Sequence, residues 1–131
     1  MGRASAGTRR GGAALRDADP RLLLDDMARY AATIARWVKK GHEAFLDDET
    51  GSRATIERQF EQFEEAANAL GASFRKANST IPWEDIFEIR NEFSHPYERT
   101  YDPEKLWRFA TRRLPRIARR LRRPNFPDTG E

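Results

Sequence analysis

The chain has 131 residues, no cysteine, two histidines and a formal net charge of +3. That length suits one domain around one core, and the lack of cysteine excludes both a disulfide framework and a thiolate metal site. No apolar run is long enough to span a bilayer, and the N-terminal stretch lacks the apolar segment of a signal peptide, so a cytoplasmic protein is the expectation.

The small net charge hides an asymmetry. Residues 21–104 carry eleven Lys/Arg against seventeen Asp/Glu, whereas residues 105–123 carry nine Lys/Arg and no acid. An acidic body with one basic arm speaks about partners rather than fold. The arm is either a solvated helix face or a contact surface for RNA or an acidic partner, with Arg112, Arg113, Arg116, Arg119 and Arg120 as its candidate RNA-binding residues.

Residues 1–18, with four glycines and scattered arginines, read as a disordered segment. Pro20 then opens a helical pattern. Leu23, Met27, Tyr30, Ile34 and Trp37 recur at steps of three and four, one apolar face of a helix that Gly41 would stop. Phe45-Leu46-Asp47-Asp48 reads as a short link or a brief helix start. The next stripe, Ile56, Phe60, Phe63, Ala67, Leu70 and Phe74, predicts one helix with Ser52 as its N-cap.

Asn78-Ser79-Thr80-Ile81-Pro82 breaks that helix. A third is predicted from Pro82 to about Ser94, with Ser79 or Thr80 as cap and Glu84 and Asp85 favoured in its first turn. Pro96 disfavours helical geometry at His95 and ends it. The last helix starts at Asp102-Pro103-Glu104. Its apolar stripe is Leu106, Ala110, Leu114, Ile117 and Leu121, and Pro115 should kink it. Residues 124–131, with Pro124, Pro127 and Gly130, read as a flexible tail. The predicted fold class is all-α, an up-and-down bundle of four to five helices over residues 19–123.

Chemistry concentrates in Arg90-Asn91-Glu92-Phe93-Ser94-His95-Pro96-Tyr97. Arg90 falls among Trp83, Ile86, Phe87 and Phe93, the most apolar part of its helix. A guanidinium there needs an anionic partner. That partner is either Glu65 or another acid of the second helix, in a structural ion pair, or the phosphate of a ligand, which the planar fork matches. His95 sits at a helix C-terminus, where the dipole favours imidazolium; it either caps the last carbonyls or moves a proton. His42 follows Gly41 in a loop and reads as surface.

Together the two residues are the parts a ribonuclease without metal needs. RNA supplies its own nucleophile, the 2′-hydroxyl. His95 would take its proton or protonate the leaving 5′-oxygen, Arg90 would neutralise the pentavalent phosphate, and Asn91 would orient a phosphate oxygen. One chain offers one such His; a dimer would offer two. Other chemistries lack parts: there is no Gly-rich phosphate loop, no HExxH, no second ExxH to pair with Glu92-Phe93-Ser94-His95 as a di-iron site requires, and no nucleophile elbow.

At these residues the sequence resembles the HepT-like branch of the HEPN superfamily. Its signature, Arg-x4-His-x-Tyr, is filled by Arg90, His95 and Tyr97. Leu23-Leu24-Asp25-Asp26-Met27, Phe45-Leu46-Asp47-Asp48, Ile81-Pro82-Trp83, Arg90-Asn91, Leu106-Trp107 and Leu114-Pro115 are similar in the same order, over about residues 20 to 122. The resemblance implies a helical homodimer with a composite cleft and, in active members, metal-independent endoribonuclease activity without a cofactor. It also implies a toxin paired with a minimal nucleotidyltransferase antitoxin that transfers AMP to the motif tyrosine, here Tyr97. An AMP there would bring bulk and negative charge beside His95; Tyr97 also reads as a packed aromatic after a turn. One departure stands out. The family's Gly-Glu-Ala is Glu64-Glu65-Ala66 here, so Glu65 is kept as a supporting residue and the glycine is lost. The second reading is an inactive HEPN subunit that binds a nucleotide or partner; the third is a nucleic-acid-binding protein driven by residues 105–123.

Overall fold

The computed structural model describes residues 19–94 and 101–127. Helix α1 runs Pro20–Val38, and Asp19 caps it by accepting a hydrogen bond from the Arg21 N–H at 2.9 Å. The short α2 (His42–Leu46) and a 3-10 turn (Asp48–Thr50) lead to α3 (Ser52–Ala69) and α4 (Gly71–Ala77). Helix α5 covers Trp83–Ser94. The last element is continuous but not uniform: α6 (Pro103–Arg108), a π-helical segment (Phe109–Arg113), then α7 (Leu114–Leu121). No strand occurs among the described residues. The class is the all-helical bundle expected, with α1, α3, α5 and the α6–α7 element as its long members. No described helix is long and apolar enough to cross a membrane.

The core follows the apolar stripes. Leu23, Met27 and Ile34 of α1 meet Ile56, Phe60 and Phe63 of α3, and the α6–α7 element closes over them with Leu106, Phe109, Leu114 and Ile117. Phe60 is fully buried, and its ring contacts those of Phe63, Phe93 and Phe109 at 5.9, 6.1 and 5.5 Å. It thereby ties α3 to α5 and to the π segment.

Three local expectations change. Ser52 is not the cap of α3 but its first residue, with a buried hydroxyl that finds no partner among the described residues; Thr50 Oγ1 instead accepts from the Ser52 N–H at 3.1 Å. The stripe from Ile56 to Phe74 is not one helix. Gly71, at φ +90°, separates α3 from α4 without losing the apolar phase. The freed carbonyls of Ala67 and Asn68 accept from Arg75 Nη1 at 3.2 and 3.0 Å. In the expected tail two residues are also held: Asn125 N–H donates to Asn78 Oδ1, Asn78 Nδ2 donates back to the Asn125 carbonyl, and Phe126 packs on Phe74. Residues 1–18 and 128–131 lie outside the described residues.

Just before Pro115, where a kink is expected, the helix takes a wider turn. The Leu114 N–H reaches back five residues to the Phe109 carbonyl. Thr111 Oγ1 donates to the Trp107 carbonyl at 2.8 Å, a carbonyl that an α-turn would have bonded through Thr111 N–H.

Candidate active site

Helix α5 is anchored at its start. Trp83 is buried and its Nε1 donates to the carbonyls of Arg75 and Asn78 at 3.2 and 3.0 Å. Ile86 and Phe93 then turn into the core. This fixes the rotation of α5 and places Arg90 on the flank towards α3. The opposite flank faces the last helix, where Asp85 pairs with Arg113 at 2.6 Å and Glu92 with Lys105 at 3.2 Å.

Arg90 is half-buried. Its guanidinium lies over the Phe93 ring at 5.5 Å, and its Nε is buried without a hydrogen-bond partner among the described residues. The ring face attracts the cation but offers no acceptor. The acid of the second helix that feels this charge is Glu64. Burial holds its carboxyl above the ordinary carboxylate range, Arg90 pulls it back down, and Glu65 and Glu61 push it up again. Glu65 is exposed. So the residue standing where the resembling family has glycine is the one electrostatically joined to Arg90. Asn91 is exposed on α5. His95 and Tyr97 lie in residues 95–100, outside the described residues.

Two clusters escaped the sequence reading. His42 is exposed, as expected, but has a constellation: its Nε2 meets Glu104 Oε1 at 2.8 Å, and its ring lies 5.0 Å from that of Trp107. Tyr101 donates its hydroxyl to the Glu57 carboxylate; burial, first of all, raises the proton affinity of both groups. Partners 62 and 44 residues apart carry no spacing signal. Among the described residues, no three His, Cys, Asp or Glu side chains stand together as metal ligands.

The arginines of the last helix separate into kinds. Arg113 is engaged by Asp85 and lies over the Phe109 ring at 5.4 Å. Arg112, Arg116, Arg119 and Arg120 are exposed. Arg116, Arg119 and Arg120, joined by Arg122 and Arg123, line a surface depression of about 600 Å³.

A family model described as ribonuclease HepT-like matches residues 27–123, a span that includes most of α1, the rest of the bundle and the whole of α5 with Arg90. No curated protein and no solved structure matches the chain. With the model covering most of the chain, and with the helical architecture described, the protein belongs to the HepT-like ribonuclease family.

Proposed function

We propose that the chain is a metal-independent endoribonuclease toxin that works as a homodimer through Arg90 and His95. The 2′-hydroxyl of RNA attacks the adjacent phosphorus, the bond to the 5′-oxygen breaks, and a 2′,3′-cyclic phosphate is left. One His95 takes the 2′-hydroxyl proton and the His95 of the second protomer protonates the departing 5′-oxygen. Arg90 neutralises charge on the pentavalent phosphate, Asn91 orients a phosphate oxygen, and Glu65 supports the site from α3. A minimal nucleotidyltransferase antitoxin neutralises the toxin by transferring AMP to Tyr97, which places a phosphate where the substrate phosphate binds.

The observation that carries this reading is Arg90 itself. A half-buried guanidinium whose Nε has no partner among the described residues, held over an aromatic face, is poised to receive an anion. The test is induction of wild type, Arg90→Ala and His95→Ala side by side, with growth and total RNA integrity followed. Arrest and RNA decay are expected with wild type only. No decay from wild type, or equal decay from all three, removes the catalytic assignment and favours the inactive, partner-binding subunit.

A further inference from the structure

Leu114, Ile117 and Leu121 bury one side of α7. Helical geometry then sends Arg116, Arg119 and Arg120 to the other side, at the i, i+3 and i+4 positions over about 6 Å of axis, and Arg123 follows in the turn after the helix, its N–H on the Arg120 carbonyl. With Arg122 they line the depression described above, where no acidic side chain among the described residues takes part. None of the five enters an ion pair among the described residues. Basic residues in a last turn suit the helix dipole, but cations at i and i+4 repel. Five together leave an unbalanced charge that an anion would offset.

Among the described residues the charge beside Arg90 is acidic: Glu64 of α3, with Glu61 and Glu65 around it. Among the described residues, the denser cationic cluster for a long polyanion is therefore on α7, apart from the single cation Arg90. The two places are also apart. The side of α5 that meets the last helix carries Asp85 and Glu92, while Arg90 is on the flank towards α3. At least the width of α5, about 10 Å, lies between them.

We infer that the arginine-lined depression on α7 is a phosphate-binding exosite for single-stranded RNA, separate from Arg90 and holding the strand away from the scissile bond. Guanidinium forks match phosphate oxygens in pairs, and among the described residues no aromatic ring lines the depression, so the backbone is held and the bases are not read. A protein partner would seek an apolar centre, and no aliphatic side chain among the described residues lines it either. The choice of RNA rests on the ribonuclease reading, but the exosite can be tested without cleavage.

The probe is a fluorescent 2′-O-methyl RNA of about 24 nucleotides, which has no free 2′-hydroxyl to attack. Its affinity for the full chain is measured by anisotropy between about 50 and 200 mM KCl. Removing three phosphate contacts in Arg119→Gln/Arg120→Gln/Arg123→Gln should weaken binding at least tenfold at low salt. It should also flatten the log–log salt slope by about 2, at roughly 0.7 per contact for a single strand. The Lys triple variant should keep most of the slope. An unchanged slope in the Gln variant overturns the exosite, as does an equal loss in Arg58→Gln, a charge removed from exposed α3. Poly-glutamate competing as well as RNA also overturns it, in favour of an acidic protein. A wild type that binds as expected but leaves unmodified RNA intact keeps the exosite and removes the nuclease.

Discussion

Glu64 illustrates what one side chain can do to a site. Burial raises its proton affinity more than Arg90 lowers it. The folded protein therefore holds the Glu64 proton more tightly than the unfolded chain does. Stability from this group is present at low pH and is lost as pH climbs from the ordinary value of 4.5 through the raised one. Glu64→Gln has no charge to lose. It should melt above wild type at neutral pH, with the gap closing as pH falls below 4.5. Thermal melts at several pH values check this; a variant that melts below wild type at neutral pH would show that attraction to Arg90 outweighs burial. Arg90 was legible in the sequence because a cation among Trp83, Ile86 and Phe93 breaks an apolar face. Its acid was legible only as a class, since α3 offers several glutamates and rotation of the packed helix decides among them.

At the scale of elements, periodicity located each long helix and failed at their joints. The stripe from Ile56 to Phe74 keeps its phase across Gly71, so counting apolar residues could not show the break. Only the backbone conformation marks it, and Gly71 is the residue that permits it. A Cβ built there meets nothing within 4 Å, so the cost of Gly71→Ala is conformational alone. It should lower stability by about 1–2 kcal/mol, read from denaturant unfolding at unchanged slope. Ser52 misled for a different reason. Ser is a common cap, but here Gly51 in the left-handed region starts the helix one residue earlier and Thr50 supplies the oxygen.

For the whole molecule, the long-range contacts were the part no local pattern could reveal. Asn78 with Asn125, Tyr101 with Glu57 and His42 with Glu104 all join segments that only the packed bundle brings together. The charge division, by contrast, was legible at once and becomes a physical division into an acidic α3–α5 surface and a cationic α7. What holds these faces in one body is the aromatic cluster around Phe60. Phe60→Ala should cost about 3–5 kcal/mol and leave a cavity between α3, α5 and the π segment. Calorimetry should show one transition at lower temperature; two separated transitions would mean the elements fold independently of that cluster.

The π segment has a further meaning for anyone who edits this chain. Leu106, Ala110 and Leu114 stand four apart twice over, which on a regular α-helix would drift about 80° from a straight line. The wider turn absorbs that drift, so Phe109–Arg113 is, in arithmetic, an ordinary helix with one residue to spare. The spare residue and Pro115 form a matched pair. Cut one residue from the segment and the helix regains its regular winding with both ends still facing as before, but the proline ring then meets the carbonyl four residues back, at about 3 kcal/mol. Replace the proline alone and the surplus residue stays, with nothing left to accommodate. Only the double edit, deletion together with Pro115→Ala, yields a plain helix, and such a shortened chain would still carry its arginines to the same side.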